Sequence, residues 1–266
     1  AATLPSQAYN NEDWFNLEKE RIFRRRWMGV QFGCRVSNIG DVLPFEFLGI
    51  PLVAIRGGDS TLRVFHNICP YDGCPVALKE ECGLESITVL YHGWRYSLEG
   101  QLISAPYWNG NSDCTVDDMP DIEVDLVEVR SAERFGILLI NLDGNAVDVD
   151  DWLRPWRRTV GEYFAIGELA PAIDSQGQPL IEERTVSANW KTYQENASIN
   201  VLHEAFTHAL YGKSMEVPRV DESGKPMFSN HIEGALIAFS HDRTDSDGTY
   251  DAINLPMAGH DPTKKP

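Results

Sequence analysis

The sequence predicts an α+β fold in which a small antiparallel β domain is followed by a mixed helix-and-strand region. Three observations carry this expectation. Short runs of β-branched and aromatic residues crowd the stretch from about residue 35 to 145. Turn formers separate those runs at close spacing. Helical periodicity occurs only before and after them. A chain of 266 residues is long enough for one large domain or two modest ones, each with its own apolar core.

The first element is "NNEDWFNLEKERIFRRRW" (10–27). It has an Asn cap candidate, acids in its first turn, apolar Phe15, Ile22, Phe23 and Trp27, and arginines at its end. Those charges suit the helix dipole, so an amphipathic helix is expected within an N-terminal helical arm over 1–34. Beyond Gly40, "FEFLGIPLVAIR" and "TLRVFHNI" read as strands on either side of the turn Gly57-Gly58-Asp59-Ser60. "SITVLYHGWRYSLEGQLISAP" gives a further pair turning at Glu99-Gly100, and "FGILLINL" (135–142) a last apolar strand. The β domain is therefore placed at 35–148, with the acidic "DGNAVDVDDW" marking its end. Over 149–266, "DWLRPWRRTVGEYF" and "NWKTYQENASINVLHEAFTHAL" read as helices, with strand-like "PLIEERTV" between them and "GALIAFSH" after; the polar tail reads as loop. No internal repeat is visible.

Forty acidic against 23 basic residues give a net charge of −17, which repels phosphate backbones and anionic lipid headgroups. No nucleic-acid or membrane partner is expected. Neither a membrane-span-length apolar run nor a signal-peptide pattern occurs, so the expected location is cytoplasmic. Five cysteines (Cys34, Cys69, Cys74, Cys82, Cys114) make an odd set, which favours buried or formerly ligating thiols over a disulfide framework.

Two constellations carry chemistry. The first is "VFHNICPYDGCPVAL" followed by "VLYHGWRYSLEGQLISAP". It resembles the Rieske loops of ring-hydroxylating oxygenase α subunits, in which C-x-H and a later C-x-x-H hold a [2Fe–2S] cluster by two thiolates on one iron and two imidazoles on the other. Cys69 matches the first cysteine and His92 the second histidine, while Tyr71 and Val89 stand at the positions of the other two ligands. A phenol titrates near 10 and an isopropyl group donates nothing, so each iron would lack one ligand. The cluster that the resemblance implies is therefore expected to be absent, with the loops surviving as packing units filled by Val89, Tyr91 and Trp94. Cys74 and Cys82 remain as alternative ligands, although their spacing matches neither a plant-type ferredoxin nor a zinc knuckle.

The second constellation is "NWKTYQENASINVLHEAFTH", with His203, His208 and the pair Glu195-Asn196. Two histidines and a carboxylate on one face of an iron are the donor set of non-haem iron(II) oxygenases. Residues five apart on an ideal helix point about 140° apart, so His203 and His208 can share an ion only where the helix ends, kinks or bulges. The stretch resembles the catalytic motif of the same family at Asn189, Trp190, Lys191, Glu195, Asn196, His203 and His208. The resemblance implies a mononuclear Fe(II) held by the two histidines and by an aspartate well downstream. Asp242, beside His241, could be offered as a replacement carboxylate, but no spacing supports it and an exposed loop acid is the expected reading. Asn200 stands where the family has an aspartate that bridges to a cluster histidine of the adjacent subunit. The amide can still hydrogen-bond but loses the charge that strengthens such a bond.

The resemblance covers roughly four-fifths of the chain. It implies a Rieske-like domain followed by part of a helix-grip α+β catalytic-type domain. It also implies α-type subunits as partners in a homo- or hetero-oligomer, a trimeric ring, with a reductase or ferredoxin as electron donor. Tyr71, Val89 and Asn200 all fall on the route that would carry electrons to the iron. The leading expectation is a non-catalytic structural or regulatory subunit of an oxygenase assembly that binds Fe(II) weakly. The alternative is an active mono- or dioxygenase of aromatic substrates with unusual ligation or electrons from a partner subunit. A third is a soluble binding module that reuses the substrate pocket.

Overall fold

The computed structural model describes residues 4–119, 123–161, 170–192, 228–233 and 236–241. The chain divides into two compact units, one formed by Asn16–Val149 and the other by Ala1–Phe15 with Asp150–Pro266.

The expected N-terminal helix is shorter than its pattern. Helix α1 (Gln7–Asn10) is followed by α2 (Glu12–Glu18), which runs on as a π-helical turn over Lys19–Phe23. Asn11 caps α2, its side-chain oxygen accepting the Trp14 N–H at 2.9 Å. The helical pattern breaks before Trp27, and Met28–Phe32, inside the stretch expected as a helical arm, is instead strand β1. The reason is non-local: β1 pairs antiparallel with β9 (Ile137–Asn141).

Strands β1, β2 (Val42–Phe47), β3 (Ile50–Arg56), β4 (Leu62–His66), β8 (Glu128–Arg134) and β9 form one antiparallel sheet in the order β1-β9-β8-β4-β3-β2. Its turns are chemically legible. Leu48-Gly49 and Phe135-Gly136 each place two successive residues at positive φ, the geometry that matches strand twist in a two-residue hairpin. The expected strand over 135–142 thus starts two residues late, at Ile137. In the Gly57–Thr61 turn, the Asp59 carboxylate accepts the Thr61 N–H and holds Arg63 by two contacts of 2.9 and 2.7 Å.

Strand β3 is buried on both faces. Leu52 and Ala54 pack with Val36, Leu43, Leu62, Val64, Val129, Leu138 and Ile140. Val53 and Ile55, pointing the other way along the pleat, pack with Phe65, Cys69, Val89, Trp94 and Tyr96. Each fully buried aliphatic or aromatic side chain here contributes about 1.5–3 kcal/mol of transfer free energy. The second group roots a smaller sheet, β5 (Ile87–Thr88), β6 (Arg95–Tyr96) and β7 (Leu102–Ser104). The β6–β7 turn falls at the expected Glu99-Gly100, with Gly100 N–H donating to Ser97 O.

Helix α3 spans Val149–Gly161, at the start of the other unit, and in that unit β10 (Phe228–Glu233) pairs antiparallel with β11 (Leu236–His241), which accounts for residues 236–241 of the expected "GALIAFSH" strand. The strand expected over 179–186 does not form. Leu180 and Val186 are exposed there, and only Pro179 makes an isolated bridge, to Ile173. No helix among the described residues is long and apolar enough to cross a membrane.

Candidate functional site

The site is built from two hexapeptide loops closed by the same backbone bonds. In Cys69–Cys74, Cys69 N–H donates to Cys74 O at 2.8 Å and Gly73 N–H to Cys69 O at 2.9 Å. In Val89–Trp94, Val89 N–H donates to Trp94 O at 2.8 Å and Gly93 N–H to Val89 O at 2.9 Å. Both fifth positions are glycines in the left-handed region, φ 72° and 70°, where a side chain would be strained. The segments CPYDGC and VLYHGW are therefore a structural repeat, although the sequence shows no obvious one. Asn67 fixes the base of the first loop through paired amide bonds to Ala77 N and O at 2.9 and 2.8 Å.

Position by position, the two loops face each other. Cys69 and Val89 come first, and both are sealed in the same apolar cluster. The Cys69 thiol lies 3.6 Å from the Tyr96 hydroxyl. Burial above all, and the neighbouring thiol next, push the Tyr96 phenol far above its ordinary range, so it stays neutral. Tyr71 and Tyr91 come third. Tyr71 lies flat against Trp94, centroids 4.4 Å apart and planes 6° from parallel, and Trp108 closes edge-on over both rings at 5.7 Å. Tyr91 is exposed, with its ring edge-on to His92.

Asp72 and His92 come fourth, and Asp72 Oδ2 meets His92 Nδ1 at 2.6 Å. The other Asp72 oxygen accepts the Cys74 N–H at 2.9 Å. Burial pushes the Asp72 carboxyl up, but the His92 ring, the Cys74 N–H and the Cys69 thiol together outweigh it and hold the group below its ordinary value. Asp72 was not legible as a site residue in the sequence; aligning the two hexapeptides on their glycines is the signal that finds it.

The thiols proposed as replacement ligands diverge. Cys74 faces Asp72, and burial together with that carboxylate raises its pKa. Cys82 faces Asp41 instead, whose charge raises it in turn. Among the described residues no three His, Cys, Asp or Glu side chains are grouped to hold a metal ion.

Of the second constellation, Asn189, Trp190 and Lys191 are described. Asn189 caps a helical start, its side-chain oxygen accepting the Lys191 N–H at 3.1 Å. Lys191 is buried and its ammonium lies 5.1 Å from the Trp190 ring and 5.6 Å from Tyr9. Glu195, Asn196, Asn200, His203, His208 and Asp242 lie outside the described residues.

Paired loops on a three-stranded sheet, packed against a larger antiparallel sheet, define a Rieske-type domain. Residues 26–123 match the family described as Rieske [2Fe-2S] domain. The carnitine monooxygenase oxygenase subunit of Escherichia coli K12 is 30% identical over 220 residues, 82% of this chain and 55% of that protein. The benzene 1,2-dioxygenase subunit alpha of Pseudomonas putida is 26% identical over 212 residues, 80% of this chain and 45% of that protein. The crystal structure of the quaternary ammonium Rieske monooxygenase CntA with L-carnitine superposes with a TM-score of 0.67 at 26% identity, covering 87% of this chain and 60% of that one. Residues 26–123 thus carry a Rieske-type domain, and the relatives and solved structures that the chain resembles are Rieske oxygenase subunits. It spans about half the length of the curated relatives it matches.

The family's groups are a [2Fe–2S] cluster and a non-haem iron. A Rieske cluster takes two thiolates and two imidazoles. At the four ligand positions these loops offer one thiol, Cys69, and one imidazole, His92, with a buried isopropyl group and a stacked phenol at the other two; the further thiol, Cys74, stands outside those positions. The donor set does not fit the cluster.

Proposed function

We propose that this chain is a non-catalytic α-type subunit with a structural or regulatory place in a Rieske oxygenase assembly. The observation that carries the reading is the pair of loops: the backbone frame of a cluster site is retained while Val89 is sealed in apolar packing and Tyr71 is committed to Trp94. In this reading residues 35–148 form the Rieske-like domain after a helical arm over 1–34, and residues 149–266 belong to the catalytic-type domain. The assembly is a cytoplasmic ring, most simply a trimer of like or mixed α-type subunits, and the reductase or ferredoxin serves its active members. His203 and His208 bind ferrous iron weakly, because two neutral imidazoles leave the ion's charge uncompensated. Asn196 and Asn200 keep the outline of the catalytic motif, with an amide at the bridging position.

One observation favours a second reading, an active oxygenase fed from a partner's cluster: the stretch from Asn189 to His208 keeps most of its motif. Its substrate would then belong with those named for the relatives, a quaternary ammonium compound or an aromatic ring. Iron and acid-labile sulfide analysis of the purified protein separates the two. No sulfide is the expected result, and two irons with sulfide overturn the proposal. Mixing with an active α subunit and its reductase gives the second arm. Turnover that depends on this chain and is abolished by His203→Ala, with assembly intact, establishes the oxygenase reading instead.

A further inference from the structure

The geometry points to a metal-free clasp: we propose that Asp72 holds His92, and Tyr71 holds Trp94, so that side chains join the two loops where the family uses a cluster. The inference rests on the non-catalytic reading and names the side chains that make the loop pair self-sufficient.

Four features converge on it. Asp72 and His92 occupy the same place in two loops with identical backbone closure, so they meet across the gap without distorting either loop. The Asp72 side chain is 6% exposed and both its oxygens are engaged, one by the His92 ring and one by the Cys74 N–H of its own loop. A surface ion pair between two long, mobile side chains contributes little. This pair differs, since the carboxylate is short, shielded and oriented by the backbone before the histidine arrives. The third feature is Tyr71, at a ligand position, whose ring is spent on loop-to-loop stacking with a tryptophan only 2% exposed. The fourth is Val89, at the other missing ligand position, which is fully buried in the cluster that contains Cys69 and Trp94.

The clasp has a consequence for reloading. His92 is already committed through Nδ1 to a carboxylate, so restoring the missing ligands leaves Asp72 in competition for the ring. Asp72 is thus a positioning residue that opposes a cluster.

The test has three arms on the whole chain. In the first, chelator treatment leaves the melting temperature unchanged, with iron and sulfide assayed on the same sample. In the second, Asp72→Asn and His92→Gln each lower the melting temperature by about 2–8 °C, and the double variant falls no further than the worse single one. In the third, anaerobic reconstitution with ferrous iron and sulfide gives several-fold more Rieske absorption and paramagnetic resonance signal in Tyr71→His/Val89→Cys/Asp72→Asn than in Tyr71→His/Val89→Cys. Additive losses in the second arm, with circular dichroism showing folded variants, overturn the clasp, and so does equal reconstitution in the third. If the untreated protein carries sulfide, the non-catalytic reading falls with it. If it carries none and the losses are additive, only the clasp is lost.

Discussion

Replacing Gly100 with alanine tests the turn that aims the second loop. Gly100 is at φ +87°, and an added Cβ would stand 2.5 Å from Phe65 Cε1 and 2.8 Å from Cζ. Phe65 is only 1% exposed and cannot swing into solvent. The turn cannot easily retreat either, since Gly100 O accepts the Leu126 N–H at 2.8 Å. Left-handed backbone costs a residue with a side chain about 1–2 kcal/mol, and overpacking a filled core about 1–3 kcal/mol, so the expected loss is about 2–5 kcal/mol. Equilibrium urea unfolding followed by tryptophan fluorescence reads it as a lower midpoint at unchanged slope. Gly110→Ala is the control, because φ is +91° there but no atom lies within 4 Å of the added Cβ. It should lose only the backbone part, about 1–2 kcal/mol. Combining Gly100→Ala with Phe65→Leu should recover the steric part, giving a double variant less damaged than the sum of the singles. Equal losses for Gly100→Ala and Gly110→Ala would refute the close approach to Phe65.

Three further outcomes follow from the same geometry. Tyr71→Ala should lose about 0.5–1.5 kcal/mol of stacking while Tyr71→Phe stays near wild type, compared by urea midpoints. Burial first, and Arg24 second, depress the pKa of His66 below 6.5. Its folded value lies under its unfolded one, so its contribution is complete above about pH 6.5 and is lost as pH falls through the depressed value. His66→Gln should flatten the stability profile between pH 7 and 5, and an unchanged slope would refute the assignment. Arg56 donates to Val36 O at 2.7 Å and Ser60 O at 3.1 Å and pairs with Glu133 at 2.7 Å. Arg56→Met should cost about 2–4 kcal/mol, more than Glu133→Gln, because it orphans shielded acceptors as well as a partly exposed carboxylate.

The hairpins at Gly57–Thr61 and Glu99-Gly100 were legible because turn chemistry is local. Strand β8, "EVRSAER", was not, since its polar sequence becomes a strand only between β4 and β9. Strand β1 was hidden for a related reason: its partner β9 lies at the far end of the domain, and the residues before it carry a helical pattern. The substituted ligand positions at Tyr71 and Val89 were legible through the resemblance of the two loops to the family's ligand pattern. Asp72 was missed because its meaning depends on facing His92, and the sequence signal for that, the shared glycine of the two hexapeptides, gains weight only once both loops are seen to close alike.

The two apolar groups on either side of the large sheet share no residue. The wall behind the loops is thus held from its far side, by packing in which Cys69, Tyr71, Val89 and His92 take no part. Such a scaffold lets the rim drift. A thiolate can give way to an isopropyl group at position 89, adding apolar contact to the near-side packing, while the sheet that presents it keeps its shape. On the non-catalytic reading proposed above, the far-side packing would keep the frame of the loops while their ligand positions change.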